Sequence, residues 1–167
     1  MGNVLKEKKK ELLEVAMEKN PDVAVGKKIV GAVALIWFAI RLLLEVAEIG
    51  CAVSIDGFTV SPMNIVMLVV IGLFVWVIYQ GNRAMCVLPI IGGVMMVAQT
   101  FLLSLYSVLG PDYYMIARLY SLLFIIAAYG QVLLMVFLLA DKKCRAYFDT
   151  ALSINKELQE ERRNLKK

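Results

Sequence analysis

Four long apolar segments, separated by short polar connections, constrain the fold of this chain more than any other feature. We predict them as helices over about residues 29–50, 62–80, 84–109 and 113–140. A helix rises about 1.5 Å per residue, so about 20 residues cross a hydrocarbon core of roughly 30 Å. Of the 167 residues, 60% are hydrophobic, whereas soluble domains are apolar over roughly half their length. The sequence therefore predicts an all-α integral membrane protein, a four-transmembrane-helix bundle.

The two ends of the chain are polar and helical in pattern. Residues 1–20 are typical of an amphipathic helix, with Leu5, Leu12 and Ala16 on one face. We expect this helix to lie in the cytoplasmic headgroup layer, the alternative being a docking surface for a partner. Residues 141–167 contain no glycine or proline. We therefore predict that the fourth transmembrane helix, at the end of a domain over 21–140, continues into a cytoplasmic helical C-terminal extension.

An apolar stripe runs along this C-terminal extension. Its members are spaced by four and three residues, as in the a and d positions of a coiled coil: Tyr147, Ala151, Ile154, Leu158, Glu161 and Leu165. Two interpretations stay open, a short homo-oligomeric coiled coil and a helix that lies in solvent or among headgroups. A homo-oligomer or a membrane-protein partner would bind through residues 146–167.

The basic residues flank the apolar segments and predict the orientation of the chain. Seven lie before Ile29, eight lie after Ala140, and only Arg41, Arg83 and Arg118 fall between. Because Lys and Arg are retained on the cytoplasmic side, we expect both termini there, in a multi-pass protein of the cell inner or plasma membrane. The partner of this positive charge is then the anionic headgroups of the bilayer, and no nucleic acid is expected.

Charged residues inside the apolar segments mark a candidate site. Arg41 and Glu45 lie four residues apart, on one face of the first predicted helix, and Arg41 is the more deeply placed. Charge at such depth is costly and is commonly functional. If the first and fourth helices are neighbours, a polar cluster forms near the outer face. Its ligand- or ion-binding candidates are Arg41, Glu45, Glu48, Arg118 and Gln99. The alternative is an interhelical ion-pair network that fixes packing.

Several kinds of chemistry lack the residues that they need. The chain has no histidine, and its three cysteines have no CxxC spacing. No dinucleotide-binding, P-loop, nucleophile-elbow or zinc-protease motif is present. We therefore expect no cofactor, no metal site and no catalytic residue. The intramembrane amides, Asn64, Gln99 and Gln131, are expected to hydrogen-bond between helices.

Three functions remain as hypotheses. The first is a non-enzymatic accessory, regulatory or ligand-binding membrane component with its polar cluster near the outer face. The second is a homo-oligomeric channel or small-solute transporter with Arg41 and Glu45 along its path. The third, least supported by the residues present, is a membrane enzyme that acts on a lipid-like substrate through Glu45 or Glu48.

Overall fold

The computed structural model describes residues 2–56, 62–105 and 111–164, a part of the chain that is helical and contains no strand. Side chains are described there except at residues 2, 3, 6, 48, 50–56, 62–64, 99–105 and 111–121. The helices are α1 (Gly2–Lys19), α2 (Pro21–Asp56), α3 (Pro62–Tyr79), a 3-10 helix (Arg83–Cys86), α4 (Val87–Leu105), α5 (Pro111–Ala140) and α6 (Lys142–Asn164). The predicted all-α class is confirmed.

Proline residues set where three of the helices begin. Each of these helices begins at a proline: Pro21, Pro62 and Pro111. The first N–H groups of a helix have no intrahelical acceptor, so proline, which lacks an N–H, loses no hydrogen bond there. The break between α1 and α2 falls at Asn20, because the residue before proline is disfavoured in the helical region. The side-chain oxygen of Asn20 accepts the backbone N–H of Asp22 at 3.0 Å and caps α2.

The chain does not continue from α5 into its C-terminal region as one helix, and that prediction is wrong. α5 ends at Ala140, and α6 begins at Lys142. Between them, Asp141 Oδ1 accepts the backbone N–H groups of Lys143 and Cys144, both at 2.9 Å. This is an N-cap, at which a new helix starts. The Cys144 N–H bond is the main reason why the pKa of Asp141 lies below its ordinary value.

α2 is the helix around which the others pack. It contacts α1, α3, α5 and α6, and α5 in turn packs against α4. Within the described residues, α3 and α4 do not pack along their lengths, although a short connection joins them. The contacts between the apolar helices therefore follow the order α3, α2, α5, α4. The contact of α2 with α5 makes the first and fourth predicted segments neighbours, the condition on which the predicted polar cluster depends.

α6 folds back onto the first part of α2 and onto α1. Its buried side chains are Cys144, Tyr147, Phe148, Ala151, Ile154 and Leu158. The stripe is thus covered within this chain at Tyr147, Ala151, Ile154 and Leu158, whereas Glu161 is partly exposed and Leu165 lies outside the described residues. At the crossing, a Cβ on Gly26 would overlap the backbone carbonyl oxygen of Lys143, so only glycine permits this approach of the two helices. A partner at residues 146–167 stays a prediction, and it would bind the side of α6 away from the stripe.

Polar contacts tie α1 and α6 to the connection after α3. Tyr147 donates its hydroxyl to the carbonyl oxygen of Tyr79 at 2.5 Å. Lys9 Nζ donates to Gln80 Oε1 at 3.2 Å. Gly81 has a φ of 91°, in the left-handed region that glycine enters without strain.

α1 and α6 are also joined to each other. Lys8 Nζ binds both carboxylate oxygens of Glu161, at 2.6 and 2.7 Å. Both basic ends of the chain and the connection that carries Arg83 therefore lie at one end of the apolar helices, which we call the inner end.

Two helices of the described part are long and apolar enough to cross a membrane. They cover Pro21–Ala47 and Leu122–Ala140, with 27 and 19 residues. Only 33% and 22% of their apolar windows are buried, whereas the core helix of a soluble protein is mostly buried. These two helices indicate membrane association. The apolar stretches Ile65–Tyr79 and Arg83–Ala98 are shorter.

Candidate functional site

The charged pair predicted on the first long helix is present and buried. Arg41 Nη2 lies 3.7 Å from Glu45 Oε1, one helical turn away on α2. The two side chains are only 14% and 8% exposed. At 3.7 Å the groups attract each other, but they lack the short contact of a charge-assisted hydrogen bond. Arg41 is not the only interaction partner of Glu45.

Apolar side chains from three helices surround this pair. Arg41 Nη1 donates to the Met96 sulfur of α4 at 3.2 Å, and a thioether is a weak acceptor. Met96 belongs to a buried cluster with Leu44 of α2 and with Ala127 and Ala128 of α5. The Arg41–Glu45 pair therefore lies where α2, α4 and α5 meet. In such surroundings, electrostatic interactions are stronger than they are in water.

One turn before Arg41, a neutral hydrogen-bond network joins the same three helices. Trp37 Nε1 of α2 donates to Gln131 Oε1 of α5 at 2.9 Å. The amide nitrogen of Gln131 donates to the carbonyl oxygen of Pro89 in α4. The prediction that intramembrane amides hydrogen-bond between helices is confirmed for Gln131, which is buried. The Trp37–Gln131–Pro89 network fixes how α2, α4 and α5 sit against one another.

Three of the predicted site residues have side chains that lie outside the described part. The backbones of Glu48, Gln99 and Arg118 belong to α2, α4 and α5, the three helices that meet at the Arg41–Glu45 pair. Their places in the polar cluster stay predictions. The amide of Asn64 is likewise outside the described side chains.

Sequence reasoning missed two partners at this site. Trp37 could have been found, because it lies four residues before Arg41 and so shares its face of α2. Met96 could also have been found, because it lies three residues before the predicted site residue Gln99 and so shares its face of α4.

The two cysteines with described side chains are buried thiols of low reactivity. Cys86 and Cys144 are free and buried. Burial raises the pKa of Cys144 to about 12. Because the thiolate is the nucleophile, neither cysteine is poised for nucleophilic chemistry at neutral pH.

The described side chains of the site offer one guanidinium, one carboxylate and a thioether. Such a set can bind a small charged ligand. In the described residues, no group of three or more His, Cys, Asp or Glu side chains could hold a metal ion. Comparison with protein-family models, with curated proteins and with solved structures finds no match to this chain.

Proposed function

We propose that this chain is a four-span protein of the cell inner or plasma membrane with both termini in the cytoplasm. In support, α3 and α4 are 18 and 19 residues long and predominantly apolar, close to the length of one crossing. Both basic ends of the chain and Arg83 lie together at the inner end. Residues 51–60, which cover the last part of α2 and the residues that follow it, contain no Lys or Arg. This charge distribution is typical of a protein with its inner end in the cytoplasm.

We further propose that it acts as a non-enzymatic accessory or regulatory component, and that the Arg41–Glu45 pair binds a small charged ligand. The observation that carries this proposal is the burial of the pair beside a neutral network. Replacing a buried ion pair by well-packed apolar residues is often neutral or stabilising, by about 1–4 kcal/mol. The Trp37–Gln131–Pro89 network already fixes α2 against α4 and α5. Packing therefore does not need the two charges.

The test removes both charges together. In the double variant Arg41→Met/Glu45→Met, we expect the detergent-purified protein to keep its mass by light scattering and to melt at or above the wild-type temperature. Each single variant breaks the Arg41–Glu45 pair from one side, and we expect each to be less stable than the double variant. The melting temperatures of wild type and double variant are then compared in sodium chloride, sodium phosphate and glycine. A rise in wild type that the double variant lacks identifies the class of ligand.

Two results would contradict the ligand-binding proposal. If the double variant unfolds or changes its oligomeric state, the pair belongs to the structural ion-pair network. If ions cross proteoliposomes of the wild type but not of the double variant, the channel alternative is favoured instead.

A further inference from the structure

Two arginines converge on one backbone oxygen at the inner end. Arg145 Nε donates to the carbonyl oxygen of Leu139 at 2.7 Å, and Arg83 Nη2 lies 3.5 Å from the same oxygen. Arg83 belongs to the 3-10 helix and Arg145 to the first turns of α6, whereas Leu139 is at the end of α5. Because both distances end on one atom, the two guanidinium groups are immediate neighbours.

The positive charge of this arginine pair is not neutralised by a described carboxylate. The ion pairs among described side chains are Lys8–Glu161, Lys10–Glu14 and Arg41–Glu45. The carboxylate of nearby Asp141 instead accepts backbone N–H groups of α6. Arg83 and Arg145 are both exposed, as are Lys142 and Lys143 beside them. Two adjacent like charges repel each other, and an anion between them would remove that repulsion.

The surface next to the arginine pair is apolar on the side of the membrane helices. Val136 and Phe137 lie within one turn of Leu139 on α5, and both are exposed. Val87 and Leu88, which follow the 3-10 helix, are exposed too. A ligand that fits this surface carries a phosphate for the two guanidinium groups and an acyl chain for the apolar side chains. Guanidinium groups match phosphate oxygens with two parallel hydrogen bonds.

We propose that Arg83 and Arg145 form a binding site for the phosphate of an anionic phospholipid in the cytoplasmic leaflet. This inference rests on the proposed topology, which places the inner end at that leaflet, and not on the ligand of Arg41 and Glu45. It goes beyond a general attraction of basic residues to headgroups, because it assigns one phosphate to two named side chains.

The experiment measures lipid binding to the full chain in detergent, by native mass spectrometry and by the melting temperature, with phosphatidylglycerol and phosphatidylcholine as probes. The test variant is Arg83→Gln/Arg145→Gln. The control, Arg162→Gln/Arg163→Gln, removes the same charge from exposed positions in the last turn of α6. We expect phosphatidylglycerol to bind wild type and control alike and to bind the test variant roughly tenfold or more weakly. Arg83→Gln alone keeps the bond of Arg145 to Leu139 and should still lose affinity.

Three outcomes would overturn the proposal. Equal loss in test variant and control would mean diffuse attraction to the basic surface. Equal destabilisation of the test variant in both lipids, with unchanged binding, would mean that the arginines only cap the end of α5. Stabilisation by inorganic phosphate equal to that by phosphatidylglycerol would mean a site for free phosphate. Failure of the proposed topology is separate, because lipid binding in detergent does not depend on which side of the membrane the inner end faces, whereas accessibility labelling of the inner end in intact cells measures that side directly.

Discussion

The two parts of α2 differ in what covers them. Over residues 21–33, Val23 and Val30 are fully buried, and Gly26 brings the backbone of α6 into contact. Over residues 37–47, one face meets α4 and α5 and holds the polar contacts, while the other exposes large apolar side chains. The buried face of the first part is covered by α6, whereas that of the second part meets α4 and α5. The two parts therefore differ in the helices that cover them and in the polarity of their contacts.

The substitution Gly26→Ala should have the largest effect on this contrast. The added methyl group overlaps a backbone carbonyl, which cannot move without shifting α6. We expect a loss of about 3 kcal/mol in the free energy of unfolding, at the upper end of the usual cost of overpacking. Denaturant titration of the purified protein in detergent, followed by circular dichroism, measures this loss.

Gly130→Ala is the matched control, since a Cβ there meets nothing within 4 Å. It should be neutral or gain up to about 1 kcal/mol from helix propensity. If the two alanine variants are equally stable, α6 does not approach α2 at Gly26, and the contrast between the two parts of α2 fails.

The substitution Gln131→Leu tests the second part of α2 and should have a smaller effect. It keeps the size of the side chain but leaves the indole N–H of Trp37 without its acceptor and removes the amide bond to the carbonyl of Pro89. We expect a loss of about 2 kcal/mol. The double variant Trp37→Phe/Gln131→Leu should lose less stability than the sum of the losses in the two single variants, because both substitutions break one network. Additive losses would show that Trp37 and Gln131 act independently.

The substitution Tyr147→Phe should have the smallest effect at neutral pH. It removes one hydrogen bond to Tyr79, for a loss of about 1 kcal/mol. Burial raises the pKa of Tyr147 from 10.0 to about 12. The folded protein thus retains this proton more tightly than the unfolded chain, so its contribution is complete below pH 10.0 and is lost as pH rises towards about 12.

The check is the stability of wild type and Tyr147→Phe between neutral pH and strongly alkaline pH. Above the ordinary pKa of tyrosine, the wild type should lose its extra stability over Tyr147→Phe. The two curves of stability against pH should therefore converge. Cys86 and Cys144 are present in both proteins, so any change in stability that their thiols cause at alkaline pH is common to both curves. Curves that stay parallel would show that the hydroxyl of Tyr147 is not buried in the folded state.

Residues that are neighbours in sequence predicted several of the helix ends and the charged pair of the candidate site. The break at Asn20, the start at Pro62 and the pairing of Arg41 with Glu45 all depend on neighbours in sequence. The turn at Asp141 was missed because an aspartate before a charged segment suits both a cap and a continuing helix. Met96 was missed although it shares a face of α4 with Gln99, whereas Pro89 could not be predicted because it contributes only a backbone carbonyl oxygen. Which carbonyl accepts a side-chain amide is decided by contacts between distant residues.

The return of α6 onto α2 links the order of synthesis to the order of assembly. α2 is synthesised early, yet Gly26 meets the backbone of α6 only when α6 has followed α5 out of the ribosome. A nascent chain interrupted after Ala140 would contain α2, α3, α4 and α5 and would still expose Gly26 on the side that α6 covers. α6 thus closes over α2 after these four helices have been made, and exposure of that side would distinguish chains that lack α6 from chains that have it.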